Sequence, residues 1–221
     1  MRKSRQTSNS YMLIVITIIA LLSSLRIAQC EYPVSQSTDK QLPALSYGAG
    51  FVINGTMYVY GGQLQDGTIS NRFTKLSFDK YGDVHYENVN SNGPKMLYAQ
   101  SVVSSKNDSV AFIGGWYPEH SPNSTNPIRI ETYSFVQNTW TTLAGSNEAD
   151  RIPVNRQEHT AVKAANGLIY IHGGVTTSGN HSAIKDSWSY DPITRTFKNM
   201  TAPPIALYGS TATVLPYVNI Q

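Results

Sequence analysis

Cysteine is almost absent: Cys30 is the single example in 221 residues. One thiol excludes an internal disulfide framework and a zinc site built on cysteines. Charge is sparse as well, at 14% of residues. With no basic stripe and no nucleic-acid motif, no binding to DNA or RNA is expected. The five histidines (His85, His120, His159, His172 and His181) are scattered, with no pair at H-x-x-x-H spacing, so no metal site is expected. The sequence contains no G-x-S-x-G, no S-x-D-x-G-x-x-W, no phosphate-cradling glycine loop and no repeated Asp/Asn ladder. Gly48-Ala49-Gly50 lacks the strand-then-helix setting of a dinucleotide site. Glu148, Asp150 and Glu158 share a connector with Arg151 and Arg156, mixed charge that reads as a solvated loop. No catalytic, cofactor-binding or metal-ligating set is expected, and a non-enzymatic role is favoured over an enzymatic one.

The chain has one long apolar run, and it lies at the start. Arg2, Lys3 and Arg5 precede residues 12–22, which are apolar apart from Thr17, and the segment ends Ala28-Gln29-Cys30. A charged start, a short apolar stretch and small residues at the end are the pattern of a secretory signal peptide. The run is too short to cross a bilayer, which takes about 20 residues. Residues 1–30 are therefore expected to be removed after Cys30, leaving residues 31–44 as a lead-in. Loss of Arg2, Lys3, Arg5 and Arg26 leaves 13 basic against 14 acidic residues, so the formal charge of +3 becomes −1. The mature chain would carry no thiol.

What the remainder has in quantity is a repeat. Three times an apolar strand runs into paired glycines: Gly61-Gly62, Gly114-Gly115 and Gly173-Gly174, with the first glycines 53 and 59 residues apart. Seven residues before each pair stands an asparagine turn, Asn54-Gly55, Asn107-Asp108 or Asn166-Gly167. Such dipeptides predict hairpins with tight type I′ turns. After each pair comes a polar loop, then a strand ending Leu76-Ser77-Phe78, Tyr133-Ser134-Phe135 or Trp188-Ser189-Tyr190. Alternation of period two places the large residues of each triplet on one sheet face. A short turn then leads to a fourth strand carrying His85 or Tyr86, Trp140 and Phe197.

This order of hairpin, Gly-Gly, long loop and two aromatic strands resembles the kelch repeat, over roughly residues 45–204. The resemblance implies an all-β, kelch-type β-propeller with about three full four-stranded blades plus the start of a fourth. The blades would span residues 45–96, 97–155 and 156–204, with residues 205–221 opening the next; its inner strand would be residues 207–215. The first strand of each blade would line the channel and the fourth the rim. Propellers have about four to eight blades, so the chain reads as an incomplete propeller, a fragment or a truncated product. The glycines are expected to let the backbone leave the strand with φ > 0 and pack closely on the next blade.

The kelch fold is also similar to the central domain of galactose oxidase, whose copper site uses tyrosines, histidines and a cysteine cross-linked to tyrosine. The mature chain would lack that cysteine. His159 opens an inner strand, where Tyr47, Tyr98 and Tyr208 hold comparable places, and is expected to serve packing. Five sequons, at Asn54, Asn107, Asn123, Asn180 and Asn199, are candidate N-glycosylation sites in an exported chain. Long loops after the glycines and between blades share one face, with Trp116 and Tyr117 as the candidate binding anchors. The expected function is a secreted or cell-surface scaffold that binds protein or glycan. The alternatives are a fragment of a propeller enzyme and a non-functional truncation product. Membrane attachment would require an anchor beyond Gln221.

Overall fold

Alternating apolar residues between glycine-rich turns produce strands throughout. The computed structural model describes residues 44–89, 92–119, 126–143, 152–177 and 181–214, and these contain no α-helix. The expected signal segment, Cys30, Asn123 and Asn180 lie outside the described residues.

Three four-stranded antiparallel meanders form. The first runs β2 (Ala49–Ile53), β3 (Thr56–Tyr60), β5 (Phe73–Phe78) and β6 (Val84–Asn88). The second runs β7 (Gln100–Val103), β8 (Ser109–Ile113), β9 (Ile130–Ser134) and β10 (Thr139–Leu143). The third runs β12 (Thr160–Lys163), β13 (Ile169–His172), β15 (Ser187–Asp191) and β16 (Thr196–Met200). Neighbouring first strands lie against each other. Ser101 Oγ donates to the Gly50 carbonyl at 2.7 Å, and Lys163 Nζ to the Val103 carbonyl at 2.6 Å. The arrangement is an incomplete β-propeller whose sheets do not close into a ring.

The sequence predicts one turn type for all three hairpins, and the structure shows more than one. Asn54 and Gly55 both have positive φ (49° and 76°), as a type I′ turn requires. The second loop is longer, because Val103 pairs with Val110. There the Ser104 hydroxyl donates to Asp108 Oδ1 at 2.7 Å and stabilises the wider turn. In the third, Gly167 is at φ 84° and its N–H donates to the Ala164 carbonyl at 3.0 Å, while Asn166 stays at negative φ.

Short ribbons that the repeat pattern did not reveal precede each blade. β1 (Leu45–Ser46) pairs with β4 (Gln63–Leu64), and β11 (Arg156–Gln157) with β14 (Val175–Thr176). The same pairing in the second blade is a single bridge between Leu97 and Trp116. The chain entering a blade is thus tied to the chain leaving its Gly-Gly corner.

The glycines explain why blades stack. The second glycine of each pair donates its N–H forward: Gly62 to Met96 O at 2.9 Å, Gly115 to Arg156 O at 2.7 Å, Gly174 to Leu207 O at 2.7 Å. A Cβ on Gly61 would stand 2.7 Å from Met96 O, and one on Gly114 would stand 2.6 Å from Arg156 O. The second glycines instead crowd their own lead-in, with a Cβ on Gly115 falling 2.6 Å from Leu97 O. Only residues without side chains permit both approaches.

Cross-strand rows supply the packing. Val103, Val110, Tyr133 and Trp140 form one row of the second sheet. With Phe112, it packs on Phe51, Tyr58, Tyr60 and Phe73 of the first. Between the second and third sheets, Val102, Ile113 and Ile130 meet Ile169, Ile171, Trp188 and Tyr190. Burial of each such side chain is worth about 1.5–3 kcal/mol. The matching row of the first sheet, Val52, Met57, Leu76 and Tyr86, is left partly or largely exposed. The far side of the third sheet differs in chemistry: Thr160, His172 and Ser187 form one row, and Tyr170, Ser189 and Lys198 lie in the next.

Residues 210–214 carry no strand, a correction to the expected inner strand over 207–215. Backbone amides and carbonyls form a strand only against a neighbour, and none is described beside this segment. Its approach nonetheless follows the repeat, since Leu207 O accepts from Gly174 and Gly209 N–H donates to Glu158 O at 2.8 Å.

Candidate binding face at the propeller axis

The two residues proposed as anchors have separate fates. Tyr117 is 2% exposed and belongs to the first core cluster. Its hydroxyl donates to Gly114 O at 3.0 Å, and the Arg129 guanidinium lies 4.4 Å from its ring centroid. Burial, with the nearby charge of Glu131 adding to it, pushes its phenol far above the ordinary range. Tyr117 is therefore a packing residue and not an anchor, because the chain turns inward after the glycines. Trp116 stays half-buried at the loop, with backbone bonds to Leu97 of 2.8 and 2.9 Å. The structural glycines Gly61, Gly62, Gly114, Gly115, Gly173 and Gly174 all sit at positive φ at the blade junctions. Asn54, Asn107 and Asn199 are exposed.

His159 does not share the place of Tyr47 and Tyr98, contrary to the expectation from the sequence. The left-handed residue that opens each blade is Tyr47 (φ 61°), Tyr98 (57°), Glu158 (55°) and then Gly209 (61°). His159 lies one residue on, where the other repeats have Gly48, Ala99 and Ser210. It is fully buried, and neither ring nitrogen has a hydrogen-bond partner of good geometry. Burial, reinforced by the charge of Arg156, holds its pKa down at about 3, against a weak opposing influence from the Ile113 backbone. It is a neutral packing residue.

Beside it, Arg156 is also fully buried. Its guanidinium makes a bidentate pair with Asp186 and donates to Gly173 O at 3.1 Å and Val154 O at 3.2 Å. Asp186 also accepts from Trp188 Nε1 at 2.7 Å. Burial alone would raise the Asp186 carboxyl, but the Arg156 bonds and charge outweigh it and hold the group below the usual carboxylate range. This cluster ties the third blade's lead-in to its own sheet.

The left-handed residues converge. Tyr47, Gly48, Tyr98, Ala99, Gln100, Glu158, His159, Gly209 and Ser210 line one depression of about 240 Å3. The rings of Tyr47 and Tyr98 lie 4.4 Å apart and tilted by 35°. Tyr98 is raised above the ordinary phenol range by burial, then by its hydrogen bond with Tyr47. The site is hidden in the sequence because the longer loops after the glycines carry the more conspicuous signal. The available signal was one bulky or charged residue just before each small-residue strand start, in Tyr47-Gly48, Tyr98-Ala99 and Glu158-His159. Among the described residues no group of three or more His, Cys, Asp or Glu could hold a metal ion, and no helix is long and apolar enough to cross a membrane.

No curated protein matches the chain. Residues 25–219 match the Attractin/LZTR1 beta-propeller family, a kelch-type propeller family. That match spans all three sheets and the docked segment after them, and propellers of this kind point to a protein-interaction scaffold. The chain belongs to the Attractin/LZTR1 β-propeller family.

Proposed function

We propose that the chain is an exported, extracellular or cell-surface protein-binding scaffold, and that its binding face is the axial side carrying the Gly-Gly corners and blade lead-ins. One observation carries the reading. Three successive blades spend an unfavourable left-handed backbone on Tyr47, Tyr98 and Glu158, and all three border the same depression. Bulky residues at φ > 0 are costly and persist where the surrounding structure holds them for a purpose. Export is supported by the charged start and apolar run of residues 1–30 and by the sequons.

The test is a binding screen of the secreted full-length product against extracellular protein ectodomains and glycans. A partner on this face is weakened by Tyr47→Ala and Tyr98→Ala and unaffected by Lys106→Glu on the opposite, hairpin side. Equal loss from both sides refutes the face assignment, and a glycan ligand in place of a protein refutes the partner class. N-terminal sequencing of secreted material is expected to begin at Glu31; an intact first segment refutes export by cleavage.

A further inference from the structure

We propose that the axial depression receives a cationic side chain, a lysine ammonium or an arginine guanidinium, presented by a protein partner. The inference rests on the binding-face reading above and adds the chemistry of what is bound.

The walls have the composition of a cation cup. Tyr47 is 52% exposed and leans on Tyr98 with ring centroids 4.4 Å apart, so the pair forms one aromatic wall. The face of such a ring attracts a cation through its quadrupole. Glu158, half-buried, lines the same depression, and its carboxylate has no hydrogen bond or ion pair among the described residues. Its Oε2 lies 3.9 Å from where a Cβ on Gly209 would be, so its neighbour on that side is bare backbone. A partly desolvated carboxylate without a partner is a demand for positive charge.

Nothing lining the depression supplies that charge. None of its lining residues is Lys or Arg. Arg156, two residues from Glu158, is already committed to Asp186 and to two carbonyls. His159, in the same lining, is neutral. A volume of about 240 Å3 suits the end of one long side chain and not a folded segment. A neutral sugar is the weaker candidate. A sugar would leave the Glu158 charge unbalanced.

The experiment is a titration of the full-length chain, labelled at tyrosine, followed by ring chemical shifts. The probes are Nα-acetyl-lysine methylamide, Nα-acetyl-arginine methylamide, the neutral Nα-acetyl-norleucine methylamide, and N-acetylglucosamine. The cationic probes are expected to shift the Tyr47 and Tyr98 resonances, and norleucine is not. Glu158→Gln keeps size and shape and is expected to weaken the cationic probes about tenfold, the loss of one charge-assisted contact. Unchanged tyrosine shifts in probe-free Glu158→Gln show that the cup is still formed. Norleucine acting as well as lysine, the sugar saturating where lysine does not, or Glu158→Gln binding like the parent chain each overturn the proposal. A protein partner that needs Tyr47 but shows no dependence on cationic probes overturns the ligand chemistry while leaving the binding face standing.

Discussion

Replacing Gly114 by alanine tests how the blades are joined, with Gly167→Ala as its control. Both glycines have left-handed backbones, φ 62° and 84°. An L-residue there costs roughly 1–2 kcal/mol, and for Gly167 that is the whole cost, because nothing lies within 4 Å of the added Cβ. At Gly114 the same methyl group would sit 2.6 Å from Arg156 O and 2.7 Å from His159 Cε1. Backbone and a buried ring cannot yield as a flexible side-chain end would, so overpacking adds about 1–3 kcal/mol. The shift also strains the Gly115 to Arg156 bond, worth about 0.5–1.5 kcal/mol. The sums are roughly 2.5–6.5 kcal/mol for Gly114→Ala and 1–2 for Gly167→Ala, against a typical total of about 5–15. Urea unfolding followed by fluorescence of Trp140 and Trp188 reads the difference. With a slope near 2 kcal/mol per M, the midpoint should fall by roughly 1.3–3.3 M for Gly114→Ala and by roughly 0.5–1 M for the control. Equal shifts would refute the junction role of this glycine and leave only its backbone conformation.

His159 is held neutral to about pH 3 in the folded chain against 6.5 unfolded. The unfolded chain therefore binds the extra proton between those values, and stability is lost as pH falls below about 6.5, by about 1.4 kcal/mol per unit. His159→Leu should flatten that slope in urea midpoints measured from pH 7 to 4, and an unchanged slope would refute the assignment. Asp186 is depressed below 3.8, so the stability it contributes is complete above that value and is lost only as pH falls further. Asp186→Asn should cost about 3 kcal/mol at pH 7, because it leaves the buried Arg156 guanidinium without its counter-charge, and urea midpoints within 0.5 M of the parent would refute it. The 221-residue chain expressed alone should self-associate through the open Val52, Met57, Leu76 and Tyr86 row, each half-exposed side chain gaining about 1 kcal/mol when covered. Met57→Lys should shift it toward monomer in sedimentation velocity; a monodisperse parent with a sharp two-state melt would refute this.

The blades were legible because their signals are local. Asn54-Gly55 and the glycine pairs dictate backbone conformation through their own chemistry, and the alternation in Tyr133-Ser134-Phe135 sets a sheet face without reference to distant residues. The contacts that cross repeats were not legible. Tyr117 reads as an exposed anchor until the turn after Gly115 directs it beneath Arg129. The lead-in ribbons are two residues long, too short for any periodicity. An aromatic ring makes His159 look equivalent to the neighbouring tyrosines, whereas the left-handed φ shows that Glu158 holds that place. The cup follows from that shift of one residue, since no single segment contains two of its walls.

The forward hydrogen bond from each glycine corner also carries a time order. Gly62 meets Met96 only after the strands of Phe73–Phe78 and Val84–Asn88 have been made, and the later corners repeat that sequence of events. The donor and its acceptor are separated by 34, 41 and 33 residues at the three corners, a few seconds of synthesis at about 5–20 residues per second. A sheet can therefore be finished on the ribosome before the carbonyl that it awaits emerges. The next stretch of chain then meets a prepared amide instead of searching for one. Growth of the propeller is on this view ratcheted from the N-terminal side, one sheet at a time. A substitution at an early corner would disturb every sheet synthesised after it, while one at a late corner would spare those already formed.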